Sequence, residues 1–199
     1  MRNLLLLAVL FTLTFGVTSC KDNNSENDSV SAEASEEKPV KKEPSEVDKK
    51  IHQSVVSKIM VTPELKTFSS VLVSAEMINF LVTKEGPFTV FAPSNEAFET
   101  LNATQKEILN RPERKGDLVT LIRSHVIPQQ LDSAMLVQEL KGKESLELTT
   151  LAGEVLTLKK RDLDLILTDA DGNETLLQKT DILSENGVVH VIGNVLNLK

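Results

Sequence analysis

Near residue 145 the apolar residues of this chain change period, from the three-and-four spacing of helices to the alternation of strands. Helices early and antiparallel strands late predict an α+β domain. Upstream of the change, Thr62-Pro63-Glu64 supplies a hydroxyl cap, a proline at the first helical position and an acid in the first turn. Leu65, Phe68, Leu72, Ala75 and Ile78 then recur on one face. Phe88-Thr89-Val90-Phe91 reads as a short strand bounded by Gly86-Pro87 and Pro93. Ser94 is placed to cap a helix carrying Ala97, Phe98 and Leu101, and Thr104 with Glu107 fits a capping box ahead of Ile108 and Leu109. Residues 110–116 read as a loop. Asp117 then caps a helix presenting Leu118, Leu121, Ile122 and His125, stopped by Pro128. Residues 133–140 form one more short helix, closed by Gly142.

Downstream, Leu146, Leu148 and Thr150 alternate with polar residues, and Ala152-Gly153 turns the chain into a strand at 155–158. Leu163, Leu165 and Leu167 alternate again. Asp171-Gly172 and Asn186-Gly187 are turn signals, each followed by a returning apolar run.

What precedes residue 51 is of another kind. A basic start, an almost wholly apolar stretch over residues 4–15 and small residues before a cut describe a secretory leader. The stretch is too short for a comfortable membrane span, which needs about 20 residues. Its end, Val17-Thr18-Ser19-Cys20, is similar to a bacterial lipobox, which implies cleavage after residue 19 and lipid on Cys20. Several acyl chains on one residue anchor stably, whereas one is marginal. Lys21 rather than Asp follows the cysteine, which favours the outer membrane, on its outer or periplasmic face. Residues 20–50 are Ser, Asn, Asp, Glu, Lys and Pro with almost no large apolar side chain, the composition of a disordered charged tether. Residues 51–199 are then the folded domain, long enough to bury about two-thirds of its unfolded surface without disulfides.

Three segments resemble the fasciclin family. Gly86-Pro87-Phe88-Thr89-Val90-Phe91-Ala92-Pro93-Ser94-Asn95-Glu96-Ala97-Phe98 is similar to its first signature box. The run Asp181-Ile182-Leu183-Ser184-Glu185-Asn186-Gly187-Val188-Val189-His190-Val191-Ile192, followed by Asn194-Val195-Leu196, is similar to the second. Leu121-Ile122-Arg123-Ser124-His125-Val126-Ile127-Pro128 resembles the central Tyr-His segment. The resemblance implies helices packed around a wedge of two β-sheets, and a role in attachment to cells, matrix polymers or surface proteins. Ser124 stands where the family often has Tyr, so the receptor contact linked to that pair in animal relatives is not carried over.

The remaining chemistry is sparse. A net charge of -7 argues against nucleic acid, which needs clustered Lys and Arg. With no Trp or Tyr, ring stacking on a sugar is a poor expectation. A single cysteine makes no disulfide within the chain and no thiolate cluster for a metal. Ser124 and His125 are neighbours on a helix, so their side chains diverge by about 100° and form no nucleophile–base pair. His125 beside Ile122 and Val126 reads as a hydrogen-bonded structural residue and only weakly as a binding group; His190 reads the same way, and His52 carries no signal. Asp169, Asp171 and Asn173 imitate the start of an EF-hand loop, but Glu174 stands where Gly is required and Thr180 where a bidentate Glu belongs, so a hairpin turn is the better reading. The expectation is a non-enzymatic binding or adhesion module without cofactor or metal, anchored to the membrane by lipid and meeting a protein or polysaccharide. The alternative is a periplasm-facing structural or assembly partner in the envelope.

Overall fold

The computed structural model describes residues 45–84 and 86–196; the expected leader, Cys20 and the expected tether as far as residue 44 lie outside the described residues. The described part opens on α1 (Glu46–Gln53), where Ser45 and Asp48 form a reciprocal capping box. Residues 45–50, grouped with the tether by composition, thus form a cap and the first turn of a helix. Helix α2 (Val55–Val61) follows directly, with Ser54 accepting from the Ser57 amide. Its sequence, VVSKIMV, is rich in β-branched residues and carries no helical signal. Burial decides instead: Val55, Val56 and Ile59 are wholly inside.

A 3₁₀ turn at Pro63–Leu65 leads into α3 (Lys66–Ser74), which buries Phe68 and Leu72 as the spacing predicts. The helix does not run on to Ile78. Glu76 adopts a φ of 54°, and α4 (Ile78–Thr83) starts afresh. Strand β1 (Phe88–Pro93) turns at Ser94, whose hydroxyl accepts from the Ala97 amide to cap α5 (Asn95–Glu99). In α6 (Ala103–Asn110) the cap is Asn102 with Gln105, two residues ahead of the expected Thr104 box; an amide pair meets the same two amide donors. Helix α7 (Lys115–Ser124) likewise starts before Asp117, after a 3₁₀ turn at Pro112–Arg114, and Asp117 pairs with Arg114 rather than capping. Strand β2 (Val126–Ile127) and α8 (Ser133–Glu139), capped by Asp132, complete the first half.

Five strands follow: β3 (Leu146–Thr149), β4 (Val155–Arg161), β5 (Asp164–Thr168), β6 (Glu174–Ser184) and β7 (Gly187–Ile192). Leu163 is not one of their alternating core residues. It sits in the β4–β5 turn after Asp162 (φ 57°) and is 93% exposed.

The strands lie in the order β2-β1-β7-β6-β5-β4-β3. The two expected sheets share one strand. Residues 174–176 of β6 pair with β5, while residues 177–184 pair with β7 through register shifts between Leu177 and Ile182. The parallel pair β1–β7 forms the centre of one half and is buried along its whole length. Alternation sends Phe88, Val90, Ala92, Val189 and Val191 into a core with α2, α3 and α7. Phe91 and Ile192 enter a second core with Leu136, Leu156, Leu158 and Leu167.

Asn186 ties this centre to the first helices. Its Oδ1 accepts from the Val55 amide at 2.8 Å and its Nδ2 donates to the Leu81 carbonyl at 2.7 Å. Asn186→Ala strands both backbone groups and should cost about 2–3 kcal/mol, read as a lower urea midpoint at unchanged slope. A loss below about 0.5 kcal/mol would show that water replaces both bonds.

Candidate functional site

His125 ends α7 and is wholly buried. The Leu196 amide donates to its Nε2 at 3.0 Å, so that nitrogen is unprotonated and Nδ1 carries the proton. Nδ1 donates back to the Leu121 carbonyl at 2.7 Å, and the ring leans on Phe68 with centroids 5.8 Å apart. Burial is the main cause of a pKa pushed down to about 4, outweighing the opposing hydrogen bond to Leu121 and the charge of Asp169. The neutral imidazole thus clasps the end of α7 to the C-terminal segment, 71 residues away in sequence.

His190, on β7, does the same work with the opposite tautomer. The Asp181 amide donates to its Nδ1 at 3.3 Å, Nε2 donates to the Leu131 carbonyl at 2.8 Å, and the ring stacks on Phe91. Burial lowers its pKa too, against the Leu131 bond and the charges of Asp181 and Asp132. Both histidines therefore engage each ring nitrogen with backbone, as expected for structural residues. Ser124 is buried and donates to the Thr120 carbonyl at 3.0 Å, so it makes no pair with His125.

The segment starting at Asp169 folds as a hairpin turn. One Asp169 oxygen accepts from the Asp171 amide at 3.0 Å and the Asn173 amide at 2.9 Å, and the Asn173 side chain donates to both oxygens. The carboxylate closes its own loop. Among the described residues no group of three His, Cys, Asp or Glu side chains is placed to hold a metal ion. None of the described helices is long and apolar enough to cross a membrane.

Spacing gave no warning of a second polar junction, at the start of α8. Asp181, held at φ 64° inside the shifted part of β6, accepts from the Ser133 amide at 2.8 Å and from the Ser133 hydroxyl. Partial burial raises the Asp181 pKa, but the bonds from Ser133 outweigh it and the net shift is downward. An aspartate at a turn-like position within a strand was the only sequence signal of this bulge.

Two grooves adjoin α8 and share Ala134 and Val137. One groove, of about 590 Å³, is lined by Ala134, Val137, Leu163, Leu165 and Leu177. The other, of about 560 Å³, is lined by Val137, Leu140, Lys141, Lys143, Glu144 and Lys160.

A family model described as the fasciclin domain matches residues 63–198. Protein sll1483 of Synechocystis sp. is 34% identical over 145 residues, which span 72% of this chain and 74% of that protein. Human periostin is 29% identical across 76% of this chain, but the match spans only 17% of periostin. Pig transforming growth factor-beta-induced protein ig-h3 is 31% identical over 74% of this chain and 20% of its own length. A solved structure of a domain pair from the insect cell adhesion molecule fasciclin I superposes with a TM-score of 0.55 at 19% identity, covering 68% of this chain and 45% of that one.

Proposed function

This chain belongs to the fasciclin domain family, and from that premise we propose that it is an extracytoplasmic binding and adhesion module, anchored to the outer membrane by lipid on Cys20. The observation that carries the reading is a fasciclin domain filling nearly all of the described residues. The same fold builds the insect cell adhesion molecule. Two further features support it. The histidines that would head a list of reactive groups are consumed by internal hydrogen bonds. The polar stretch after Cys20 has the composition of a spacer that holds a domain away from lipid. Recognition would then run through surface contacts with a protein or polysaccharide.

Protease shaving of unbroken cells tests the setting, read with an antibody to residues 51–199 and a periplasmic protein as control. Loss of the signal from intact cells is the expected result. Protection until the outer membrane is breached would overturn surface display and favour the periplasm-facing assembly partner. Lipid anchoring has its own test. Cys20→Ala should abolish incorporation of labelled palmitate and move the mature chain out of the detergent-soluble membrane fraction; a variant that still labels and sediments with membranes would refute it.

A further inference from the structure

We propose that the tip of the β4–β5 hairpin and the basic groove beside α8 form a self-complementary surface through which two copies of this chain associate. This deepens the adhesion reading, on which it rests for its setting at the cell surface. The tip presents an acid, an apolar side chain and an acid in succession: Asp162, Leu163 and Asp164. Two-residue hairpin turns favour Asn, Asp and Gly, and a leucine 93% exposed at such a place contributes nothing to the fold. Scattered exposed leucines are ordinary, but this one is not alone. Met135 (47% exposed) and Val137 (41%) project from α8, and Leu163 and Val137 line the same groove.

A second groove, which shares Ala134 and Val137 with the first, has the complementary chemistry. Lys141, Lys143 and Lys160 line it together with Val137 and Leu140, and against their three positive charges stands one acid, Glu144. Alternation along β4 places Lys160 on the same face as the buried Leu156 and Leu158, so it emerges where that core ends against α8. Three lysines gather here on a chain of net charge -7. Lys143 shares Glu139 at 3.5 Å, and the neighbouring Arg161 is engaged by Glu174 at 3.1 Å. The groove therefore suits an apolar side chain flanked by two carboxylates, and the molecule carries one such knob at the end of the same hairpin. The knob does not fill the groove of its own chain, since Leu163 is left 93% exposed. A two-fold axis lets each copy's knob enter the other's groove, the geometry of an isologous dimer.

The test uses the full chain in its own cells, with a photo-crosslinking phenylalanine in place of Leu163. The expected product is an adduct of twice the chain's mass, with peptides from α8 and β4 joined to the probe. The double variant Lys141→Glu, Lys160→Glu should lower its yield at least tenfold, and adding Asp162→Lys and Asp164→Lys should restore it. All four positions are exposed, so folding is checked by an unchanged melting curve. The same probe in place of Val61, 71% exposed on α2, should give no dimer. An adduct with a different protein, no adduct, equal dimer from both probe positions, or a yield indifferent to the lysines would each overturn the proposal. If shaving shows a protected domain while the dimer adduct persists, surface display fails and the pairing stands.

Discussion

Gly187→Ala is expected to abolish folding of the domain. Gly187 opens β7 at a φ of 155°, in register with Phe88 across the parallel pair β1–β7. A Cβ there would lie 2.1 Å from the Phe88 carbonyl oxygen and 2.9 Å from its carbonyl carbon and amide nitrogen. All three atoms are backbone, so no side chain can move aside. Nor can the strands separate, since β1 and β7 are buried on both faces and feed both hydrophobic cores. The cost should exceed about 4–5 kcal/mol, the range of single changes that remove most of a domain's stability. The measurement is circular dichroism and soluble yield beside Gly116→Ala. Gly116 is exposed in α7 with nothing within 4 Å of its added Cβ, so that change should be neutral or stabilising by up to about 1 kcal/mol. A Gly187→Ala protein with a wild-type melt would refute the tight β1–β7 crossing.

Mild acid should weaken the domain well before its carboxylates titrate. His125 is held near pH 4 against 6.5 in the unfolded chain, and His190 is shifted in the same direction. A folded-state pKa below the unfolded one means that between these values the unfolded chain binds more protons. Stability is therefore full above about pH 6.5 and falls as pH drops toward 4. His125 alone should remove about 2 kcal/mol between pH 7.5 and pH 5.0, with more from His190. The urea midpoint at these two pH values is the readout. Asp181 and the exposed Asp48 and Glu64 have lowered pKa values, so they add to the acid loss only below that window. A flat midpoint across it would mean that the His125–Leu196 clasp opens in the native protein and hydrates the ring.

The parts of this fold legible in the sequence were those written in local chemistry. The change of apolar period placed the boundary between helices and strands. Asn186-Gly187 and Asp171-Gly172 marked real turns, and the apolar neighbours of His125 matched its burial. What stayed hidden depended on burial or on distant partners. Helix α2 reads as a strand by composition, and only packing of Val55, Val56 and Ile59 makes it a helix. The break at Glu76 depends on a non-glycine residue taking a left-handed conformation that no motif announces. Leu163 kept the alternation of its neighbours yet ended in a turn, because spacing alone cannot distinguish the last residue of a strand from the first beyond it. The acceptor role of His125 toward Leu196 and the Asp181–Ser133 junction join segments 71 and 48 residues apart, beyond the reach of any local pattern.

Attachment tests the central reading most directly. Cells lacking this protein would be compared with cells carrying the wild-type chain, Cys20→Ala or Gly187→Ala, counting those retained on a native surface or in a biofilm after washing. Deletion should lower retention, the wild-type chain should restore it, and neither the unanchored nor the unfolded variant should do so. Equal retention by all four strains, with the wild-type domain demonstrably exposed, would contradict an adhesion function.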